Sequence, residues 1–520
     1  MIFNRTLLAS LLLLCAATAK AGSFDLSTAT IADINAAMDA NALSSEKLVG
    51  LYLKRIEAYD KQGPKLNAVI TLNKNAVAEA RALDAERKAK GRRSALHGIP
   101  IVVKDLVDVA GMPTTAGFKP FGAPVPSRDA AVVSKLKAAG AIVLAKVATV
   151  NWFGNGFDET HVIGPSLNPY HLEYQPGGSS NGTGVAMAAW FATVGVGTDT
   201  GGSVRGPSAF NSLAGMVATQ GLVSRAGIVP RGATQDRAGP MGRSVYDIAT
   251  LLTYMQGWDA EDLMTTQGLG HFTADNLALG LTTPDLKGRR IGVLREMIPG
   301  GEQHAEGIAL FNRALEDMRK AGAQLVDPIA TGLNLRSLST SSAGRTAEYE
   351  KLHVQNAYLE RLGPNRPFKT VQEMIEKVGP EKFSKLMIDA LSLEPPAISA
   401  DYAARVRNKD MVKRLIVDLV DRYELDAVVY PYSTLPPPRW GGSGGGGEGG
   451  GNSLASNSGL PSILMPAGYT GTGLPIAIEI IGKPFDDLKL LQVAHGYEQA
   501  SKRRRPPPNT PALPGETFRY

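Results

Sequence analysis

Between Pro176 and Arg205 the chain strings small residues between two glycine-rich turns. The first turn reads Gly177-Gly178-Ser179-Ser180-Asn181-Gly182, and the second Gly197-Thr198-Asp199-Thr200-Gly201-Gly202-Ser203-Val204-Arg205. Ser180 to Thr193 reads as a helix carrying Gly182, Gly184, Ala186, Ala188 and Ala189, and Val194 to Thr198 as a short strand. Small residues let such a helix pack close to its neighbours. Glycine accepts dihedrals closed to other residues, so several backbone N–H groups can converge on one point of a turn. Upstream, Ile99 to Val103 is a continuous apolar run, as expected of a strand buried on both faces, and Lys104 closes it.

The rest of the chain fits an α/β fold. Apolar residues at helical spacing predict two helices within Ser27–Asp60, and Ala68–Leu72 reads as a strand. Further helices are expected over Asn75–Lys90, Asp129–Ala139, Tyr246–Met255, Ile308–Ala321 and Ser399–Tyr423. Further strands are expected over Ala141–Leu144, Ile291–Leu294, Ala427–Tyr430, Ser462–Met465 and Ile476–Ile481. Helix, glycine and strand in that order suggest α/β wrapping. No clean linker appears in the 520 residues, so one domain is expected. A catalytic core is placed at about 95–260 and a helical lobe at about 300–425. Residues 441–451 hold nine glycines in eleven positions, a flexible loop rather than a phosphate cradle.

The N-terminus reads as an export signal. Arg5 supplies a positive start, Leu7–Ala17 is an apolar run too short to span a bilayer stably, and Ala19-Lys20-Ala21 fits a cleavage site before Gly22. Residues 1–21 are therefore expected to be removed, leaving residues 22–520 in the periplasm or outside the cell. Cys15, the one cysteine, would go with them, leaving no thiol or disulfide. Stable membrane insertion of the mature chain is not expected. The 55 basic and 49 acidic residues of the full chain are well mixed, with no basic stripe to bind nucleic acid. Oligomeric state is not legible.

Two serines in glycine turns and a desolvated lysine can make an acyl-transfer site without histidine. Each residue also has a plainer reading. Gly-Gly-Ser around Ser203 describes many ordinary loops. Lys104 could pair with its neighbour Asp105. Its place at the end of a buried strand would instead disfavour its charged form and let the amine act as a base. Ser179 could relay a proton, or equally serve as a helix N-cap. Gly178-Ser179-Ser180-Asn181-Gly182 also fits a nucleophile elbow centred on Ser180, but that fold needs a later acid and histidine, and His495 is the one histidine near the C-terminus. No His-Glu-x-x-His pair supports a zinc site.

Taken together, the segments resemble the amidase signature hydrolases. The resemblance includes both serine turns, Leu96-His97-Gly98-Ile99-Pro100 with Lys104-Asp105, and Asn168-Pro169-Tyr170. It continues through Gly221-Leu222-Val223-Ser224-Arg225, Asp236, Gly239-Pro240-Met241 and Arg243-Ser244-Val245. Gly459-Leu460-Pro461, Gly473-Leu474-Pro475 and Tyr497-Glu498 look like the family's closing segment. The chain departs from the family at Asn181-Gly182-Thr183, at Val217-Ala218 and in the glycine run.

The resemblance implies a single domain with a large mixed twisted sheet flanked by helices. It implies a Ser-Ser-Lys triad: Ser203 as nucleophile, Ser179 as bridge on a cis peptide after Gly178, and Lys104 as base. Backbone N–H groups of Thr200, Gly201, Gly202 and Ser203 would form the oxyanion hole, braced by Asp199 and Arg205. Phe153, Gly154 and Asn155 would line the acyl pocket. No metal or organic cofactor is implied. The expected activity is hydrolysis of a small-molecule or peptide amide to an acid and ammonia or an amine. An A-type amidotransferase component, an esterase or carbamate hydrolase, and a silent binding protein are the competing outcomes on this scaffold.

Overall fold

The buried apolar runs assemble into one large sheet in a computed structural model that describes residues 23–338, 345–441 and 453–519. The export segment with Cys15, and residues 442–451 of the glycine run, lie outside the described residues. In chain order the strands are β1 (Ser23–Asp25), β2 (Val69–Leu72), β3 (Pro100–Lys104), β4 (Ile142–Val147), β5 (Val194–Asp199), β6 (Ala214–Val217) and β7 (Arg237–Gly242). They continue with β8 (Arg290–Leu294), β9 (Gln324–Ile329), β10 (Ala427–Pro431), β11 (Ser462–Tyr469), β12 (Pro475–Ile481) and β13 (Thr517–Arg519).

Eleven strands form a mixed sheet in the order β2-β4-β3-β5-β7-β6-β11-β12-β10-β8-β9, while β1 and β13 pair separately. β3 runs parallel to both of its neighbours, β4 and β5. Every residue of β3 is buried, which is why its sequence is a continuous apolar run rather than an alternating one. β7 pairs antiparallel with β5, and β6 pairs antiparallel with β7. At the far end, β10, β8 and β9 form a second parallel patch.

Helices cover the sheet. They include α1 (Ile31–Asp39), α2 (Ser45–Arg55), α3 (Ala76–Lys90), α4 (Ala131–Ala138), α5 (Asn181–Ala188), α6 (Arg205–Phe210), α7 (Val245–Met255) and α8 (Ala305–Lys320). Hydroxyl caps start several of them: Thr30 accepts from the Asp33 N–H at 3.2 Å, Ser44 from the Lys47 N–H at 3.1 Å, and Ser244 from the Asp247 N–H at 3.1 Å. Such a cap contributes about 1 kcal/mol. From Ala347 to Arg422 the described elements are helical, ending in the 23-residue helix Ala400–Arg422.

The helix expected over Ser180–Thr193 stops at Ala188. Trp190 takes a left-handed φ of 42°, and β5 begins at Val194. What remains, α5, is buried throughout. Gly182 is required there, because a Cβ would lie 2.1 Å from the Ala148 backbone nitrogen.

Candidate active site

Parallel β3 and β5 deliver their carboxyl ends side by side, and ligand sites in α/β sheets form at such ends. Lys104 ends β3 and is fully buried. Its Nζ donates to Ser179 Oγ at 2.6 Å and to Thr198 Oγ1 at 2.9 Å. It also lies 5.3 Å from the centre of the Trp152 ring. Among the described residues it forms no ion pair. Burial pushes the amine's pKa well below the usual lysine range; the fields of Asp199 and Asp236 oppose this and that of Arg231 adds to it.

The pairing of Lys104 with Asp105 does not occur. Successive strand residues face opposite sides of a sheet. Asp105 turns away to meet Lys146 Nζ at 3.0 Å and accepts the Thr115 N–H at 3.0 Å.

Ser179 does not cap α5 either. It follows a cis peptide bond from Gly178, is 6 % exposed, and presents its hydroxyl to Lys104. Ser180 fastens the two serine turns together. Its N–H donates to the Ser203 carbonyl at 3.2 Å. Its hydroxyl donates to the Thr198 carbonyl at 3.1 Å and accepts from the Thr198 N–H at 3.2 Å. Fully buried and doubly engaged, Ser180 is no exposed nucleophile.

Ser203 sits half-buried in the turn between β5 and α6. Asp199 organises that turn by accepting from the Gly202 N–H at 2.9 Å and the Val204 N–H at 3.0 Å. Gly202 takes a φ of 137°, a region that favours glycine. Its N–H is spent on Asp199, so Gly202 is not the free oxyanion donor expected from the sequence. Thr200 donates its hydroxyl to Asp236 Oδ1 at 2.6 Å. Gly201 is exposed.

Arg205 braces Asp199 from below. Its Nε lies 3.2 Å from Asp199 Oδ2, and its Nη1 lies 3.0 Å from Glu479 Oε1 on β12. Burial works against a charged Asp199, but Arg205 and Arg237 hold its pKa at about 2.

The three residues expected to line the acyl pocket lie in differing surroundings. Phe153 is 2 % exposed and packs its ring on Phe118 and Phe121, at centroid distances of 5.8 and 5.2 Å. The Gly154 N–H is used by Asn151 Oδ1 at 2.8 Å, and Asn155 is exposed. Their neighbour Trp152 presents its ring to the Lys104 amine. With Thr198 and Thr200 it lines a cavity of about 250 Å³ that extends toward Asp262, His353 and Tyr358. Sequence reasoning missed Trp152, the Thr198 contact and the Thr200–Asp236 bond. Thr198 and Asp236 stand inside the family motifs, but nothing in spacing alone assigns them partners. No group of three or more His, Cys, Asp or Glu residues among those described could hold a metal.

A buried amine held by hydroxyls, beside a glycine turn with a serine at its tip, defines a site suited to acyl transfer. The chain belongs to the amidase family, whose profile, described as Amidase, matches residues 47–491. It is 31% identical over 504 residues to a probable amidase of Arabidopsis thaliana, covering 93% of this chain and 92% of that protein. It is 32% identical over 489 residues to the A-type component of the glutamyl-tRNA(Gln) amidotransferase of Halorhodospira halophila, covering 91% of this chain and 97% of that one. The native peptide amidase of Stenotrophomonas maltophilia superposes with a TM-score of 0.82 at 33% identity, covering 92% of this chain and 98% of that one. A peptide amidase bound to the competitive inhibitor chymostatin gives 0.83 at 34% identity, covering 92% and 99%. The chain is thus an amidase signature hydrolase of amide C–N bonds.

Proposed function

We propose that the protein is an extracytoplasmic amidase that works through an acyl-enzyme on Ser203, with Ser179 and Lys104 carrying the proton. The observation that carries this is the Lys104 amine: fully buried, without a carboxylate partner among the described residues, and 2.6 Å from the Ser179 hydroxyl. In its neutral form the amine takes the Ser179 proton as Ser179 takes that of Ser203. Ser203 Oγ then attacks the amide carbon. The N–H groups of Thr200, Gly201 and Ser203 face the developing oxyanion, and losing one such donor costs about 3–4 kcal/mol. Collapse of the tetrahedral intermediate returns the proton through Ser179 to the leaving nitrogen. Water then releases the acid by the same relay.

The likeness to peptide amidases supports a peptide amide as substrate. Similarity to the A-type components of amidotransferases fits a second reading, but the signal-like residues 1–21 favour the exported hydrolase. The test is to express the full chain, sequence the N-terminus of the exported form, and assay it on amides, esters and carbamates. Export with cleavage near Gly22 and release of ammonia or amine are expected. Retention of the full-length chain in the cytoplasm, or turnover of esters alone, would overturn the reading.

A further inference from the structure

Arg231 carries a guanidinium with no acceptor among the described residues. It lies in the loop before β7, and its Cζ is 5.0 Å from the centre of the Trp152 ring. The same ring lies beneath Lys104. One indole therefore supports both the candidate base and a second cation. The loop is fixed against the serine turn through Asp236, which accepts the Arg231 N–H at 2.6 Å and the Thr200 hydroxyl at 2.6 Å.

The nearby acids are already engaged. Asp236 Oδ2 serves the Arg231 and Gly232 N–H groups, the latter at 3.0 Å, and Oδ1 serves Thr200. Glu348 Oε1 lies 3.1 Å from Arg345 Nη1. Among the described residues the Arg231 side chain makes no ion pair and no hydrogen bond. Burial pushes its pKa down, and the like charge of Arg345 adds to this. The indole ring offers the guanidinium no hydrogen-bond acceptor, so its N–H fork is unfilled among the described residues. A partly desolvated cation of this shape is matched by a carboxylate accepting two parallel hydrogen bonds.

We propose that Arg231 is a specificity-determining residue that receives a carboxylate of the substrate, so that the preferred amides of this enzyme are anionic. This rests on the amidase reading given above. Arg345 adds a like charge beside Arg231, while Asp236 and Glu348 act on it with the opposite sign.

The test is steady-state kinetics on matched amide pairs in which one member carries a carboxylate where the other carries a methyl group. The carboxylate is moved along the acyl side and the amine side. For at least one placement the wild type should favour the anionic member by tenfold or more in kcat/KM, chiefly through KM. Arg231→Gln and Arg231→Lys, the latter keeping the charge but not the fork, should both cut that ratio below threefold. A residue acting only on the field around Lys104 would shift the pH profile of both members alike and leave the ratio intact, which would overturn the proposal. Preference for the neutral member at every placement would overturn it too. If neither member of any pair is turned over and Ser203 takes no fluorophosphonate label, the amidase reading itself falls. If a variant fails to fold, inhibition of the wild type by free mono- and dicarboxylates decides. Competitive inhibition should far exceed that by matching neutral amides, and equal potency would count against the proposal.

Discussion

Lys104 and Asp105 are adjacent in sequence but serve opposite faces of the sheet. The lysine amine meets Ser179 at 2.6 Å, and the aspartate carboxylate meets Lys146 at 3.0 Å. The obvious counter-charge is thereby taken away from Lys104. A free lysine has a pKa of about 10.4, and desolvation without a close acid lowers it. Amide hydrolysis should therefore rise with pH along one limb, below the ordinary lysine range, as the amine loses its proton. In Lys104→Ala that limb should vanish and amide turnover should fall by several orders of magnitude. Ester hydrolysis should fall less, because an alkoxide leaving group needs less help from a proton. The check is a pH–kcat/KM profile of both proteins; near-normal amide turnover in the variant would end the proton relay.

Ser203→Ala should abolish turnover and leave the melting temperature within a few degrees of wild type, since it deletes one half-exposed hydroxyl. Mass spectrometry of a fluorophosphonate adduct should place the label on Ser203. Label on Ser180 would contradict its double engagement with Thr198.

Thr198→Val keeps the shape of the side chain but removes the second hydroxyl on Lys104 Nζ. A lost hydrogen bond of this kind costs about 1 kcal/mol, so kcat should fall by about fivefold with KM little changed. An unchanged kcat would show that Ser179 alone positions the amine.

Asp199→Ala strips the Gly202 and Val204 N–H groups of their acceptor and leaves Arg205 with one acid fewer. Breaking one side of a buried pair costs about 3–5 kcal/mol. Urea denaturation should show a loss of that order together with loss of activity. A stable, active variant would remove Asp199 from its bracing role.

Asp247 is buried at the start of α7, where it accepts the Ile31 N–H at 2.7 Å. Burial raises its pKa to about 7, against the pull of that hydrogen bond and of Arg243. A carboxyl raised in the folded state gives stability that is full below its unfolded pKa of about 3.9 and is lost as pH climbs toward 7. Asp247→Asn should flatten the fall in melting temperature between about pH 4 and 7. A parallel fall in both proteins would assign the slope to other groups.

Much of this was legible because certain residues leave few alternatives. The unbroken apolar run of β3 reads as a doubly buried strand, and the glycine turns read as turns. β7 was not legible: Arg237-Ala238-Gly239-Pro240-Met241-Gly242 offers two glycines and a proline to a central strand. Pro240 lies opposite Val196 of β5, while β6 pairs only with Met241 and Gly242. β9 hides in the same way behind Pro328. The Lys104 contacts with Thr198 and Trp152 depend on which way side chains point. Motif spacing does not carry that.

The tie between Arg205 and Glu479 has a consequence for how such a protein comes into being. The serine turn is held by a residue 274 positions further along the chain. While that later strand is still being synthesised, Asp199 and Arg205 lack the carboxylate that completes their network. Catalytic competence is therefore expected late in biosynthesis, and a fragment ending near residue 260 would hold every residue of the proposed triad yet lack the strand that completes the Asp199–Arg205 network. Any circular permutant or split form meant to work must keep β5 and β12 within one folding unit.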